Sequence, residues 1–146
     1  MGSENFDEYQ LAVRRRIAFQ SLIITEALVG INGAVASYYM WASPMVQALV
    51  IVALSALYFL SATVFKNAYV SRKVRNPLLF GVIYVVIGLA NGAVFYARFR
   101  QNGAASFAAG GRLSDDLIQL IAGFVFAYLG AILLIKYSID RRGREE

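Results

Sequence analysis

Four long apolar stretches dominate this sequence and limit the kind of fold it can form. They cover about residues 17–39, 45–65, 77–97 and 117–137, and charged residues stand between them. A helix needs roughly 20 mostly apolar residues to cross a bilayer core about 30 Å thick, and each stretch has that length. None shows the two-residue alternation of a barrel strand. The sequence therefore predicts an all-α, polytopic membrane protein with four transmembrane helices.

The composition supports a membrane protein and excludes common kinds of catalytic site. The 146 residues suit one domain, 1–146, in which a short amphipathic tail at 1–13 precedes the helices. Only 16% of the residues are charged, whereas soluble proteins have about a quarter. There is no cysteine and no histidine, which excludes thiol catalysis, disulfides and histidine acid–base chemistry and removes most transition-metal sites. We therefore expect no enzyme activity, no cofactor and no metal.

The basic residues indicate how the chain is oriented in the membrane. Eleven of the 14 lie before the first apolar stretch, between the second and the third, or at and after the end of the fourth. They are Arg14, Arg15, Arg16, Lys66, Arg72, Lys73, Arg75, Lys136, Arg141, Arg142 and Arg144. The other three, Arg98, Arg100 and Arg112, lie between the third and fourth helices. The positive-inside rule then places both termini on the cytoplasmic side of the membrane, which we expect to be a bacterial plasma membrane. We expect the basic residues to contact anionic lipid headgroups and not nucleic acid.

An internal repeat relates the two halves of the chain. The sequence Asn-Gly-Ala-Val occurs at 32–35 in the first helix and at 91–94 in the third. A lysine follows eight residues after Tyr58 in the second helix and eight residues after Tyr128 in the fourth. This pattern predicts two tandem helical hairpins related by a pseudo-twofold axis along the membrane normal. Chance similarity between membrane sequences of low diversity is the other explanation.

Glu26 is the most unusual residue within the apolar stretches. It follows Arg16 by ten residues, which is roughly 15 Å along a helix and close to the middle of the bilayer. An ionised carboxylate is expensive at that depth, so the residue is either functional or a protonated group that bridges to a neighbouring helix. Glu26 shares one helical stripe with Gly30, Gly33 and Ser37.

Other polar side chains predict two hydrogen-bonded layers inside the bilayer. By depth, the layer around Glu26 would contain Ser55, Tyr58, Tyr84 and Tyr128. A second layer, nearer the outside, would contain Asn32, Asn91 and Gln119. The two layers would form a polar pathway or would simply fix the register of the helices.

Small residues suited to close helix packing are Gly30, Gly33, Gly88, Gly92, Gly123 and Gly130. Among these, we expect Gly88 and Gly92 to mediate self-association.

The first half of the chain resembles known membrane protein families. The resemblance covers residues 7–69, where Asp7-Glu8, a basic stretch and Ile17-Ala18-Phe19 lead into a helix pair that ends Lys66-Asn67-Ala68-Tyr69. It is to small uncharacterised bacterial four-helix membrane proteins, and it implies a helical membrane fold but no reaction. The size and the glutamate in the first helix are also similar to small multidrug resistance transporters. The longer N-terminal tail and the unmatched aromatic motifs make that likeness an analogy only.

Two kinds of function fit these observations. The first is a non-enzymatic membrane protein that acts through helix contacts, either as a homo-oligomer or as an accessory subunit of a membrane partner. The alternative is a small proton- or cation-coupled transporter or permease that uses Glu26. An intramembrane enzyme would have only Glu26, Asp115, Asp116 and hydroxyl groups to work with. The small-residue stripes and the missing catalytic residue types favour the first function.

Overall fold

The computed structural model describes residues 8–66, 68 and 77–142. Within them the chain forms four long helices: α1 Glu8–Tyr38, α2 Pro44–Phe65, α3 Pro77–Asn102 and α4 Ile118–Arg142. All four are long and apolar enough to cross a membrane. The prediction of an all-α chain with four helices able to span a membrane is therefore confirmed.

Three helices extend well beyond the apolar stretches that predict them, and one of these, α4, continues five residues past 137, to Arg142. Helix α1 begins nine residues before Ile17, so the described part of the predicted amphipathic tail, from Glu8 on, is continuous with the rest of α1. Helix α3 continues five residues beyond 97, to Asn102. The extensions contain neither proline nor glycine, so nothing in them interrupts a helix once it leaves the apolar region. The tail before residue 8 lies outside the described residues, as do four of the basic residues: Arg72, Lys73, Arg75 and Arg144.

Two connections lie together at one end of the helices, which we call the loop end. Residues 39–43 join α1 to α2, and Ser43 caps α2 by accepting a hydrogen bond from the Val46 amide at 3.2 Å. Between α3 and α4 the chain forms a short antiparallel pair, β1 Ala108–Ala109 and β2 Arg112–Leu113. Ser114 caps the single 3-10 turn that leads into α4.

Hydrogen bonds and aromatic contacts hold the loop end together. The Leu113 amide donates to the Trp41 carbonyl at 3.0 Å, and the Ser43 amide donates to the Leu113 carbonyl at 2.9 Å. The Ser43 hydroxyl also donates to the carboxylate of Asp115. Beneath these bonds the buried Phe107 packs against α3, with its ring 4.9 Å from that of Phe95. The two connections therefore form one folded cap.

The helices pack in the order α1, α2, α4, α3. Helix α3 packs closely along α4, α4 also contacts α2, and α2 contacts α1. The core lies where α2, α3 and α4 meet and contains Val64, Ile132 and Leu133, with Tyr84 packed against it. Helix α1 stands at one edge, and Ile17 is its one buried residue. We call the end opposite the loop end, where Arg16 and Lys66 lie, the basic end.

Candidate functional site

Glu26 lies on the exposed side of α1. The contacts of α1 with α2 include those of Ser21, Thr25 and Asn32, whose side chains hydrogen-bond to residues of α2. One residue turns an α-helix by about 100°, so Glu26 points well away from the direction of Thr25. Its carboxyl group therefore faces the surroundings of the helices and not the interior of the chain.

Small residues continue this exposed face towards the loop end. Gly30 and Gly33 are both exposed, and a Cβ at either position would meet no atom of the described chain within 4 Å. Ser37 is exposed as well, and its hydroxyl donates back to the Gly33 carbonyl at 2.8 Å. We call Glu26, Gly30, Gly33 and Ser37 the α1 stripe. It is a narrow strip where another helix backbone can approach closely.

Polar contacts at mid-depth join α1 to α2. The Thr25 hydroxyl donates to the Ser55 hydroxyl at 2.8 Å, and the Ser21 hydroxyl donates to the Ser55 carbonyl at 3.2 Å. Nearer the basic end, the Tyr58 hydroxyl donates to the Gln20 side-chain carbonyl at 2.9 Å. Ser55 and Tyr58, which the sequence placed around Glu26, thus bond to residues on another side of α1.

The other two tyrosines of the expected layer lie elsewhere. The Tyr128 hydroxyl is 3.1 Å from the Ser61 hydroxyl, between α4 and α2. Tyr84 stacks its ring on Phe126, with 6.1 Å between the ring centroids. The structure distributes these polar side chains over separate helix contacts, in place of the single layer around Glu26 that depth alone suggested.

Asn32 is the centre of a network near the loop end. Its amide nitrogen donates to the Gln47 side-chain carbonyl at 2.9 Å, and its carbonyl accepts from the Trp41 indole at 2.9 Å. The amide of Gln47, which is buried, donates in turn to the Ala42 carbonyl at 2.8 Å. The network fixes α1, its connection and α2 relative to one another.

The other two members of the expected outer layer are not part of this network. The Asn91 amide donates to the Ile87 carbonyl of its own helix at 2.9 Å. Gln119 is partly exposed in the first turn of α4. Although Asn32 and Asn91 match in the sequence repeat, their side chains therefore have different roles.

The remaining glycines lie at the contact of α3 with α4. A Cβ on Gly88 would lie 2.6 Å from the Ala127 nitrogen, and one on Gly130 would lie 2.6 Å from a carbonyl oxygen of α3. A Cβ on Gly123 would lie 3.2 Å from the Gly92 nitrogen. Because carbon atoms pack at about 3.5–4.0 Å, the first two positions have no room for a side chain. Gly88 faces α4 of the same chain, so it is not available for the self-association that the sequence predicts. The Gly92 nitrogen lies beside Gly123, but a Cβ on Gly92 would meet no atom of the described chain within 4 Å, so for Gly92 self-association stays a prediction.

Several polar residues make contacts that the sequence-based predictions do not include. They are Gln20, Ser21, Thr25, Trp41, Gln47 and Ser61. Part of this set could be predicted from the sequence. Ser21, Thr25 and Asn32 share one helical stripe, and each lies one residue before a position of the stripe that contains Glu26 and Gly33. That polar stripe is the one that faces α2.

Comparisons with known proteins assign no family to this arrangement. No protein-family model, no curated protein and no solved structure matches the chain. The function therefore has to be inferred from the contacts themselves, in which Glu26 faces outward while the neighbouring Thr25 faces α2.

Proposed function

We propose that this protein is a non-enzymatic membrane protein that acts by helix–helix contact, and that it associates with a second copy of itself through the α1 stripe. The exposure of Glu26 is the observation that carries the proposal. A carboxyl group that faces hydrocarbon has no hydrogen-bond partner there, which is unfavourable for the charged and the neutral form alike. A helix packed over the stripe removes this penalty.

A second copy of the chain suits the chemistry of Glu26. A protonated carboxyl group offers one donor and further acceptor capacity, so two such groups can satisfy each other. In a twofold-symmetric dimer, residues on the axis meet their own counterparts. The ranges 17–65, 77–97 and 117–135 contain no lysine or arginine, so another copy has no cation to offer at this depth. An acid pair is the contact that a second copy can provide.

The glycines of the stripe support the same arrangement. Close approach of two membrane helices depends on small residues at the contact, because van der Waals packing and hydrogen bonds replace the hydrophobic effect there. The chain uses this device internally, where Gly88 touches the backbone at Ala127. Gly30 and Gly33 offer the same opportunity on α1, but in the described chain their Cβ positions are open.

The orientation of the protein forms part of the proposal. Arg16 and Lys66 lie together at the basic end, and Arg141 is in the last turn of α4, at the same end. Under the positive-inside rule this end faces the cytoplasm, and both termini lie there. The resemblance to bacterial families implies that the membrane is a bacterial plasma membrane.

These contacts favour association over ion-coupled transport, the other function that Glu26 suggests. A pathway would need polar groups in line with Glu26, whereas Ser55, Tyr58 and Tyr128 have partners on other faces. The Glu26→Gln variant separates the two functions. An amide pair is also self-complementary, so association predicts a dimer that survives this change, whereas ion coupling predicts a folded protein without pH-dependent flux in proteoliposomes.

Cysteine cross-linking tests the proposed interface. The chain has no cysteine, so Ser37→Cys places a single thiol at the end of the α1 stripe. Tyr96→Cys is the control, since Tyr96 is 60% exposed on α3 towards the loop end. We expect oxidation in native membranes to give a covalent dimer with Ser37→Cys and little with Tyr96→Cys. Equal cross-linking at both positions, or none at residue 37, would contradict a dimer formed through the α1 stripe.

A further inference from the structure

A cavity of about 470 Å³ opens at the basic end, between the first turns of α1 and the end of α2. Four of the described residues that line it have polar side chains: Tyr9, Arg16, Gln20 and Lys66. We propose that this cavity binds the phosphate group of an anionic phospholipid. The proposal does not depend on the dimer, because no residue of the α1 stripe lines the cavity.

The unequal lengths of the two helices create the cavity. Helix α1 has 31 residues and α2 has 22, so α1 is longer by roughly 13 Å. Tyr9, Arg16 and Gln20 follow one another at spacings of seven and four, and so share one face of α1. Lys66 caps the end of α2 opposite that face. The buried Ile17 gives the cavity an apolar wall.

The charges that line the cavity select an anion. Arg16 and Lys66 are both basic, and none of the lining residues that the structure describes is acidic. A guanidinium group matches two oxygens of a phosphate, and an ammonium group adds a point charge with three further donors. A phosphodiester, which carries one negative charge and acceptor oxygens, complements this pair.

The uncharged polar residues add donors of the same kind. The side-chain carbonyl of Gln20 already accepts a hydrogen bond from Tyr58 at 2.9 Å, which also restrains the orientation of the amide. The donors left on Gln20 are the two N–H bonds of its amide nitrogen. Tyr9 contributes a hydroxyl group. The cavity is therefore rich in donors, as a phosphate site requires.

The position of the cavity favours a lipid headgroup over free phosphate. It lies where the apolar part of α1 begins and where that of α2 ends. Two exposed aromatic residues stand next to it in sequence: Phe19 is 64% exposed, and Phe65, which precedes Lys66, is 55% exposed. Acyl chains attached to a bound phosphate can cover these rings, whereas a free phosphate ion leaves them uncovered.

Lipid titration of the purified full-length protein tests the site. Native mass spectrometry in detergent would count phosphatidylglycerol molecules bound to wild type, with phosphatidylcholine as the zwitterionic comparison. We expect Arg16→Gln and Lys66→Gln each to raise the apparent Kd for phosphatidylglycerol by about tenfold, the usual effect of losing one charged hydrogen-bond contact. Arg15→Gln is the matched control, because Arg15 is exposed but does not line the cavity. The Arg15→Gln variant should bind phosphatidylglycerol with an apparent Kd within about twofold of wild type.

Three results would overturn the proposal. Equal losses in Arg15→Gln and Arg16→Gln would indicate diffuse attraction between basic residues and anionic lipid. Displacement of phosphatidylglycerol by millimolar inorganic phosphate would show that the site takes the free ion. Binding of phosphatidylcholine as tight as that of phosphatidylglycerol would show that charge does not select the ligand. Lys66→Gln keeps the test decisive if Arg16→Gln does not fold, since Lys66 is an exposed cap residue.

Discussion

The Thr25 hydroxyl lies 2.8 Å from the Ser55 hydroxyl and donates a hydrogen bond to it, which joins α1 to α2 at mid-depth. This contact divides the first helix into two faces. Thr25 belongs to the face that α2 covers, whereas Glu26, the next residue, belongs to an exposed face. Because only one side of α1 has a partner in the described part of the chain, Glu26 on the other side is open to the second copy that we propose.

The bond between Thr25 and Ser55 should contribute measurably to the stability of the α1–α2 pair. In a double-mutant cycle with Thr25→Val and Ser55→Ala, we expect a coupling energy of about 0.6 kcal/mol, the average for hydrogen bonds between membrane helices. Unfolding free energies measured in bicelles would give this value. A coupling energy indistinguishable from zero would show that the contact does not hold the two helices together.

Asn32→Leu should loosen the loop end. The substitution removes the partner of Trp41 and leaves the buried Gln47 carbonyl without its donor, so we expect the free energy of unfolding to fall by about 1–3 kcal/mol. Trp41 is the single tryptophan of the chain, and its emission should move to longer wavelength as water reaches the indole. Asn91→Leu is the control, since Asn91 bonds within its own helix. An equal emission shift in both variants would argue against the network.

Glycine substitutions should separate the contact within the chain from the contact between copies. Gly88→Ala and Gly130→Ala place a methyl group less than 3 Å from backbone atoms of the neighbouring helix, and we expect each to cost about 1–3 kcal/mol of stability through overpacking. Gly33→Ala meets open space and should change the stability of the monomer by no more than about 0.5 kcal/mol. A thermal unfolding series would contradict this assignment if Gly33→Ala were the most harmful of the three.

The sequence predicts the helices well but not how they face one another. Length and hydropathy identify all four spans, because a bilayer of fixed thickness imposes both. The depth of Glu26 is also readable, since the helical rise fixes it. The direction of the Glu26 side chain cannot be predicted in this way. Lipid is as apolar as a helix interior, so hydropathy does not show which face of a membrane helix is covered by another helix. For this reason Tyr58 and Ser55 were expected beside Glu26 and instead bond to Gln20 and Thr25.

The loop end shows the same division between local and long-range information. Ser114 stands directly before two aspartates, a local pattern that is typical of a helix N-cap, and it caps the 3-10 turn before α4. The bonds of Leu113 to Trp41 and Ser43 join residues about 70 positions apart. Local sequence patterns carry no information about such pairs, so the folded cap was not predictable.

The monomer–dimer equilibrium in liposomes tests the central claim most directly. Energy transfer between labelled copies, measured as the protein is diluted in lipid, would give the dissociation constant for wild type, Gly33→Leu and Ala27→Leu. Gly33 lies on the α1 stripe, and Ala27 is exposed on α1 about 100° away from Glu26. We predict that Gly33→Leu raises the dissociation constant at least about tenfold, or 1.4 kcal/mol, and that Ala27→Leu leaves it within about twofold. A wild-type chain that stays monomeric at every dilution, or a Gly33→Leu variant that dimerises as tightly as wild type, would contradict association through the α1 stripe.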